Sequence, residues 1–127
     1  MAKLIAFINI VMVTMFVCFT AIAQDCSNPQ TQTDLNLCAK AQYEKAEKEL
    51  NKIYQLVLTK LDHIGKERIK KAETAWIKYR DAEGEAEAEE WKGGSIFNLI
   101  RANCLTTLTK QRIQVLQEFH NSLEGRL

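Results

Sequence analysis

The chain has 127 residues, with 17 basic and 16 acidic side chains and a net charge of +1. A balance this close to neutral argues against general nucleic-acid binding, which needs a basic surface, and against a polybasic membrane anchor. The length allows one small domain with a single hydrophobic core.

The N-terminal residues have the features of a secretory signal. A short basic start at Met1–Lys3 precedes an almost entirely apolar stretch over residues 4–20, and Ala21-Ile22-Ala23 then offers a small-x-small cleavage site. We predict cleavage after Ala23, so that residues 1–23 are a signal peptide and residues 24–127 form a single periplasmic or secreted domain with no membrane attachment. Because the apolar stretch also has about the length of a spanning helix, a retained anchor is the alternative.

Beyond the signal, apolar residues recur at helical spacing and strand signals are scarce. The first helix is predicted over residues 33–64, with Thr33 as its N-cap and Gly65 as a left-handed C-cap. The second follows over about residues 66–90, and the third begins at an N-cap serine, Ser95. Short connections make neighbouring helices antiparallel. The sequence therefore predicts an all-α fold, an elongated antiparallel three-helix bundle preceded by a polar N-terminal tether pinned by a disulfide.

The apolar spacing also predicts which faces are buried. The inner positions expected on the second helix are Ile69, Ala72, Trp76, Tyr79 and Ala86. The inner positions expected on the third helix are Phe97, Ile100, Cys104, Leu108, Val115 and Phe119. We interpret Trp76 and Tyr79 as core residues and expect Arg80, beside Asp81, to bond an acidic residue of the first helix, with Asp34 or Glu44 as candidates. All four residues of this run, Trp76, Tyr79, Arg80 and Asp81, are thus assigned structural roles.

The cysteine count of the mature chain is odd. Cys18 lies in the predicted signal, which leaves Cys26, Cys38 and Cys104, so one thiol has no partner within its own chain. Pairing of Cys26 with Cys38 is preferred and would close an 11-residue loop, worth about 3 kcal/mol in the chain-entropy model. Pairing of Cys104 with either of the others stays open, because sequence does not determine connectivity. Counting from the second turn places Gly84 opposite Cys104.

Several residues together resemble a known family. They are Cys38, Tyr43, Leu50 and Tyr54, the run 75–81 (AWIKYRD), Gly93-Gly94-Ser95, and Cys104 with Leu108-Thr109, Arg112 and Leu116. As a set they resemble the LprI-like lysozyme-inhibitor domain, a family of small secreted or periplasmic helical proteins of bacteria. The family's usual pattern has a cysteine where this chain has Gly84. The resemblance therefore implies a lost bridge to Cys104, which favours Cys26–Cys38 as the disulfide and Cys104 as a free thiol.

An acidic segment leads into the second turn. Its carboxylates are Glu83, Glu85, Glu87, Glu89 and Glu90, and Trp91, Gly93 and Gly94 follow. The simple interpretation is a solvated helix face. The functional interpretation is a docking surface for a basic lysozyme-like partner, in which opposite charge speeds encounter and Trp91 supplies a buried anchor. The candidate partner-binding residues are Glu87, Glu89, Glu90, Trp91, Gly93 and Gly94.

Other chemistry finds little support in the sequence. His63 and His120 lack ligand spacing, so no metal is expected, and the sequence suggests no cofactor and no catalytic residues. The first functional hypothesis is therefore a lysozyme inhibitor that acts by protein–protein binding rather than as an enzyme. The alternative is a structural or redox-linked envelope protein that dimerises through its unpaired cysteine.

Overall fold

A computed structural model describes residues 25–125, so the predicted signal peptide lies outside the described residues. Three helices follow one another, α1 over Gln32–Thr59, α2 over His63–Ala88 and α3 over Phe97–Glu124, and a 3-10 turn over Glu89–Trp91 follows α2. The described part of the chain contains no strand, and the predicted all-α three-helix bundle is confirmed. None of its helices combines the length and the apolar character that crossing a membrane requires.

The N-terminal tether is pinned to α1 by a disulfide. Cys26 and Cys38 are bonded with an S–S distance of 2.08 Å, which confirms the preferred pairing. The helix itself starts two residues earlier than predicted, because Thr31 rather than Thr33 is the N-cap. Thr31 Oγ1 accepts a hydrogen bond from the amide of Asp34 at 3.1 Å. The Asp34 carboxylate in turn accepts a hydrogen bond from the amide of Thr31 at 3.0 Å. This capping box satisfies two amides that the helix leaves unpaired.

The first turn of the bundle differs from the prediction. Helix α1 ends at Thr59, and Gly65 lies in the first turn of α2 without a left-handed conformation, so its assignment as a C-cap is wrong. The physical reason is Asp62, whose carboxylate accepts a hydrogen bond from the Gly65 amide at 2.7 Å and starts a new helix.

The second turn contains the one left-handed residue of the described chain. Gly93 has a φ of 81°, a conformation that costs glycine little, and the Gly94 amide bonds the carbonyl of Trp91 at 2.9 Å. Ser95 is not the N-cap of α3, since Ile96 precedes the helix without a side-chain cap. The carbonyl of Ser95 instead accepts a hydrogen bond from Asn36 Nδ2 at 2.9 Å, which ties this turn to α1.

Helix α3 packs against both other helices. The core cluster joins Leu50, Ile53 and Val57 of α1 to Leu116 of α3. Partly buried hydrophobic residues pack around it, namely Tyr54, Leu61, Ile69, Trp76, Ile113, Phe119 and Leu123. The predicted inner face of α3 is wrong at Val115, which is 52% exposed, whereas the polar Thr106 and Thr109 are buried.

The inner face of α2 is also different from the predicted one. Of the predicted inner residues, Trp76 and Ile69 are half-buried. The other three, Ala72, Tyr79 and Ala86, are exposed to solvent, and the exposed fraction of Tyr79 is 52%. The buried residues of α2 are Glu73, Arg80, Gly84 and Ala88. Two charged residues, Glu73 and Arg80, therefore occupy inward positions, where partners on neighbouring helices neutralise their charges. The buried face predicted from the apolar spacing of α2 is wrong for this reason.

Candidate functional site

One end of the bundle gathers the features that the sequence singled out. The disulfide holds the tether against the beginning of α1, and the Asn36–Ser95 hydrogen bond holds α1 against the turn before α3. The 3-10 turn that contains Trp91 joins them at this end. The Asn36–Ser95 hydrogen bond thereby holds an acidic turn, defined as residues 83–95, beside the start of α1.

The acidic turn keeps a net negative charge. All five of its glutamates are exposed, but Glu85 pairs with Arg101 and Glu89 pairs with Lys92 at 3.1 Å. Among the ion pairs of the described residues, none involves Glu83 or Glu90. The structure therefore leaves part of the acidic charge uncompensated and open to solvent.

The aromatic residue of the acidic turn is held in a defined place. Trp91 is 37% exposed, and its carbonyl is bonded by the Gly94 amide after the left-handed Gly93. The six candidate partner-binding residues are all exposed: Glu87, Glu89, Glu90, Trp91, Gly93 and Gly94. Their part in binding stays a prediction.

A groove between α1 and α3 was not predicted from the sequence. It has a volume of about 510 Å³ and lies at the same end of the bundle as the acidic turn. Its apolar lining comes from Leu37, Tyr43, Ala102 and Leu105, and Arg101 lines it too. Because Arg101 also bonds Glu85, the groove and the acidic turn adjoin. The feature of the sequence that could have indicated this groove is Leu37, an apolar residue early in α1. In the structure, Leu37 remains 45% exposed.

Beneath this surface, Arg80 joins α2 to α1. Arg80 is 4% exposed, its Nη1 lies 2.5 Å from Glu47 Oε1, and its Nε donates to Asp81 at 2.9 Å. The guanidinium carbon lies 5.4 Å from the ring centre of Tyr43 and 5.1 Å from that of Trp76. Burial works to lower the pKa of Arg80, but Asp81 and Glu47 outweigh it and raise that pKa above its ordinary value.

The bonding of Arg80 to an acidic residue of the first helix was predicted, but its partner was not. Glu47 takes the place for which Asp34 and Glu44 were the candidates. Glu44 lies one turn before Glu47 and pairs instead with Lys40. The partner was thus misplaced by three residues, slightly less than one helical turn.

A second buried ion pair joins α2 to α3, and the sequence reasoning missed it. Glu73, which is 7% exposed, accepts hydrogen bonds from Arg112 Nε at 2.9 Å and Nη2 at 2.8 Å. Arg112 also lies 5.7 Å from the ring centre of Trp76. Trp76 therefore contacts both arginines, and its position near the core rests on charged as well as apolar neighbours.

The third cysteine is a buried free thiol. Cys104 is 7% exposed and unpaired, and burial, together with a hydrogen bond to Glu87, raises its pKa to about 12. A Cβ at Gly84 would lie 2.9 Å from Leu105 Cδ2 and 3.6 Å from Arg101 Cγ, so Gly84 packs against Leu105, the neighbour of Cys104 in the chain. That Gly84 faces Cys104 itself stays a prediction. A thiol held neutral in this way is a poor nucleophile.

Within residues 25–125, no group of three or more histidine, cysteine or acidic side chains is arranged to hold a metal ion. The exposed features are instead an acidic turn, an aromatic side chain and an adjoining groove on a rigid helical frame. A surface of this kind suits the binding of another protein.

Comparison with known proteins identifies the family. A family model described as "Lysozyme inhibitor LprI" matches residues 23–116, and the chain belongs to this family. The chain is also similar to an uncharacterized protein of Rhizobium meliloti (strain 1021), with 35% identity over an alignment that covers 88% of this chain and 94% of that protein. No solved structure gives a significant match.

Proposed function

We propose that this protein is a lysozyme inhibitor that acts by binding the enzyme, in the periplasm or after secretion. The family match over residues 23–116 carries the proposal. Lysozymes cleave peptidoglycan outside the cytoplasm, where the predicted signal would deliver this chain. The protein would protect peptidoglycan by blocking the cleft of the enzyme.

We further propose the acidic turn as the contact surface. Its uncompensated glutamates suit a basic partner, and complementary charge increases the rate of encounter. Trp91 supplies an aromatic group of the type that anchors tight interfaces. The adjoining groove offers apolar surface that a side chain of the partner would cover.

The proposed activity is tested by measuring hydrolysis of bacterial cell walls by lysozymes of different structural types. The full chain is expressed with its own N-terminal segment, purified and titrated into each assay. We expect inhibition of at least one type, in proportion to the complex that forms. Absence of inhibition and of binding across the whole panel would contradict the proposed function.

The proposed surface is tested separately with a triple variant, Trp91→Ala with Glu89→Lys and Glu90→Lys. We expect its affinity for the inhibited lysozyme to fall by at least about tenfold, because an anchor and two charges are lost. The matched control is Glu118→Lys, an exposed glutamate near the other end of the bundle, which should retain affinity. Equal affinity of the triple variant and the control would place the contact elsewhere and leave the inhibition itself standing.

The alternative hypothesis, pairing of two chains through an unpaired cysteine, has less support. Cys104 is buried, and its raised pKa keeps the thiol protonated at neutral pH. Disulfide exchange needs an accessible thiolate.

A further inference from the structure

The face of α2 that points away from the bundle is an unpartnered apolar face. We call it the outer face of α2 and define it by Ala72, Ala75, Tyr79, Ala82 and Ala86, all of which are exposed. The spacing of these residues alternates between three and four, the pattern with which helices pair side by side. Tyr79 lies at its centre and is 52% exposed.

The charges along α2 are separated into two halves. Residues 66–78 carry five basic side chains and two acidic ones, whereas residues 81–90, which end α2 and enter the 3-10 turn, carry six acidic side chains and no basic one. Of these six, Asp81, Glu85 and Glu89 already pair within the chain, which leaves Glu83, Glu87 and Glu90 without an ion-pair partner among the described residues. Lys66, Arg68, Lys70, Lys71 and Lys78 are absent from the ion pairs of the described residues. The basic charge therefore remains available to an external partner along one half of the helix.

This arrangement opposes the dipole of the helix itself. Acidic residues stabilise a helix near its N-terminus and basic residues near its C-terminus, but α2 has no acidic residue in its first turn and no basic residue in its last turn. The stability of the isolated helix therefore does not explain the separation of charge. A partner with the opposite order of charges would compensate both halves at once.

We propose that the protein forms a symmetric dimer in which the outer faces of two α2 helices pack antiparallel. The antiparallel orientation places the basic half of each helix against the acidic half of its partner, whereas a parallel orientation would place like charges together. The two-fold axis passes near Tyr79, so that the aromatic residues meet at the centre and the alanines let the helices approach closely. A second copy of the chain is thus the occupant with matching charge and shape. Because it covers glutamates of the acidic turn, the dimer would compete with the proposed binding of a lysozyme.

The size of the outer face sets the strength of the dimer. A helix of 26 residues is about 39 Å long, and one such face buries less than the roughly 800 Å² per partner of a standard interface. We therefore expect reversible association in the micromolar range that weakens as salt rises.

Sedimentation velocity of the full-length chain, from roughly 1 µM to 1 mM in low salt, measures this association. Tyr79→Glu should raise the dissociation constant at least about tenfold, since it introduces two like charges at the axis. Val115→Glu is the matched control, because Val115 is also 52% exposed but lies on α3. Circular dichroism shows whether each variant remains folded. A monomer at every concentration, or an equal response of both variants, would overturn the proposal.

A charge exchange tests the orientation. One variant carries Arg68→Glu and Lys71→Glu, and the other carries Glu89→Lys and Glu90→Lys, positions that face each other to within two residues across an axis at Tyr79. Each variant alone therefore places like charges against each other, whereas the mixture restores opposite charges. We expect each variant alone to be monomeric and an equimolar mixture to form a heterodimer. Failure of the mixture to associate would refute antiparallel pairing, and a dimer that reductant dissolves would refute the helix interface altogether.

Discussion

Replacement of Arg80 by alanine tests the link between α1 and α2. The Arg80 side chain is 5% exposed, whereas its partner Glu47 is 33% exposed and regains water when the arginine is removed. Breaking a buried ion pair costs about 3–5 kcal/mol, and the exposure of Glu47 places this case near the lower limit. Loss of the contacts with Tyr43 and Trp76 adds about 1 kcal/mol. We expect Arg80→Ala to lower the free energy of unfolding by about 3–4 kcal/mol.

Urea denaturation followed by circular dichroism gives this change, because the shift of the midpoint converts to free energy through the slope m. Arg80→Lys is the matched control: it keeps a positive charge but loses the fork that bonds Glu47 and Asp81, so we expect about half of the loss. A double-mutant cycle with Glu47→Gln should give a coupling energy of at least about 1 kcal/mol. If Arg80→Ala cost less than about 1 kcal/mol, the burial and stacking described for this residue would be wrong.

Three further predictions concern the remaining features of the fold. Gly84→Ala should not stabilise α2 despite a helix-propensity gain of about 1 kcal/mol, because the new Cβ would lie 2.9 Å from the buried Leu105 and overpacking costs about 1–3 kcal/mol; thermal unfolding checks this, and a higher midpoint would contradict it. Alkylation of Cys104 at pH 8 should be at least about 100-fold slower in the folded protein than in denaturant, since its pKa is raised to about 12; equal rates would show an accessible thiolate. Replacing Cys26 and Cys38 by serine should lower the free energy of unfolding by about 3 kcal/mol in a denaturant titration, and an unchanged midpoint would show that the tether contributes nothing.

The sequence predicted the fold class and the disulfide, but it misplaced helix ends. The periodic pattern runs on through residues 60–64, because Leu61 and Ile64 keep the helical spacing across the turn. Side chains that bond the backbone decide the ends: Thr31 with Asp34 begins α1, and Asp62 begins α2. Such caps are short local signals, and a stronger apolar period hides them.

The candidate site could be predicted in part. The acidic turn was visible because its residues are consecutive in the chain, and the structure leaves all five of its glutamates exposed. The groove was not visible, because it depends on how far α1 and α3 separate between Leu37 and Arg101. The partner of Arg80 was missed for a related reason, since the choice between Glu44 and Glu47 depends on a register that composition does not determine.

The largest error, at the buried face of α2, has a physical consequence. Two charged residues, Glu73 and Arg80, take inward positions. Three residues predicted to face inward, Ala72, Tyr79 and Ala86, are exposed to solvent instead. Exposed alanines alone need no partner, because alanine is the best helix former and costs nothing in water. Tyr79 has no such explanation, since an aromatic side chain gains nothing from helix propensity and remains half exposed. The exposed Tyr79 is therefore the feature of α2 that supports the proposed packing against a second copy of the chain, whereas the exposed alanines alone would not support it.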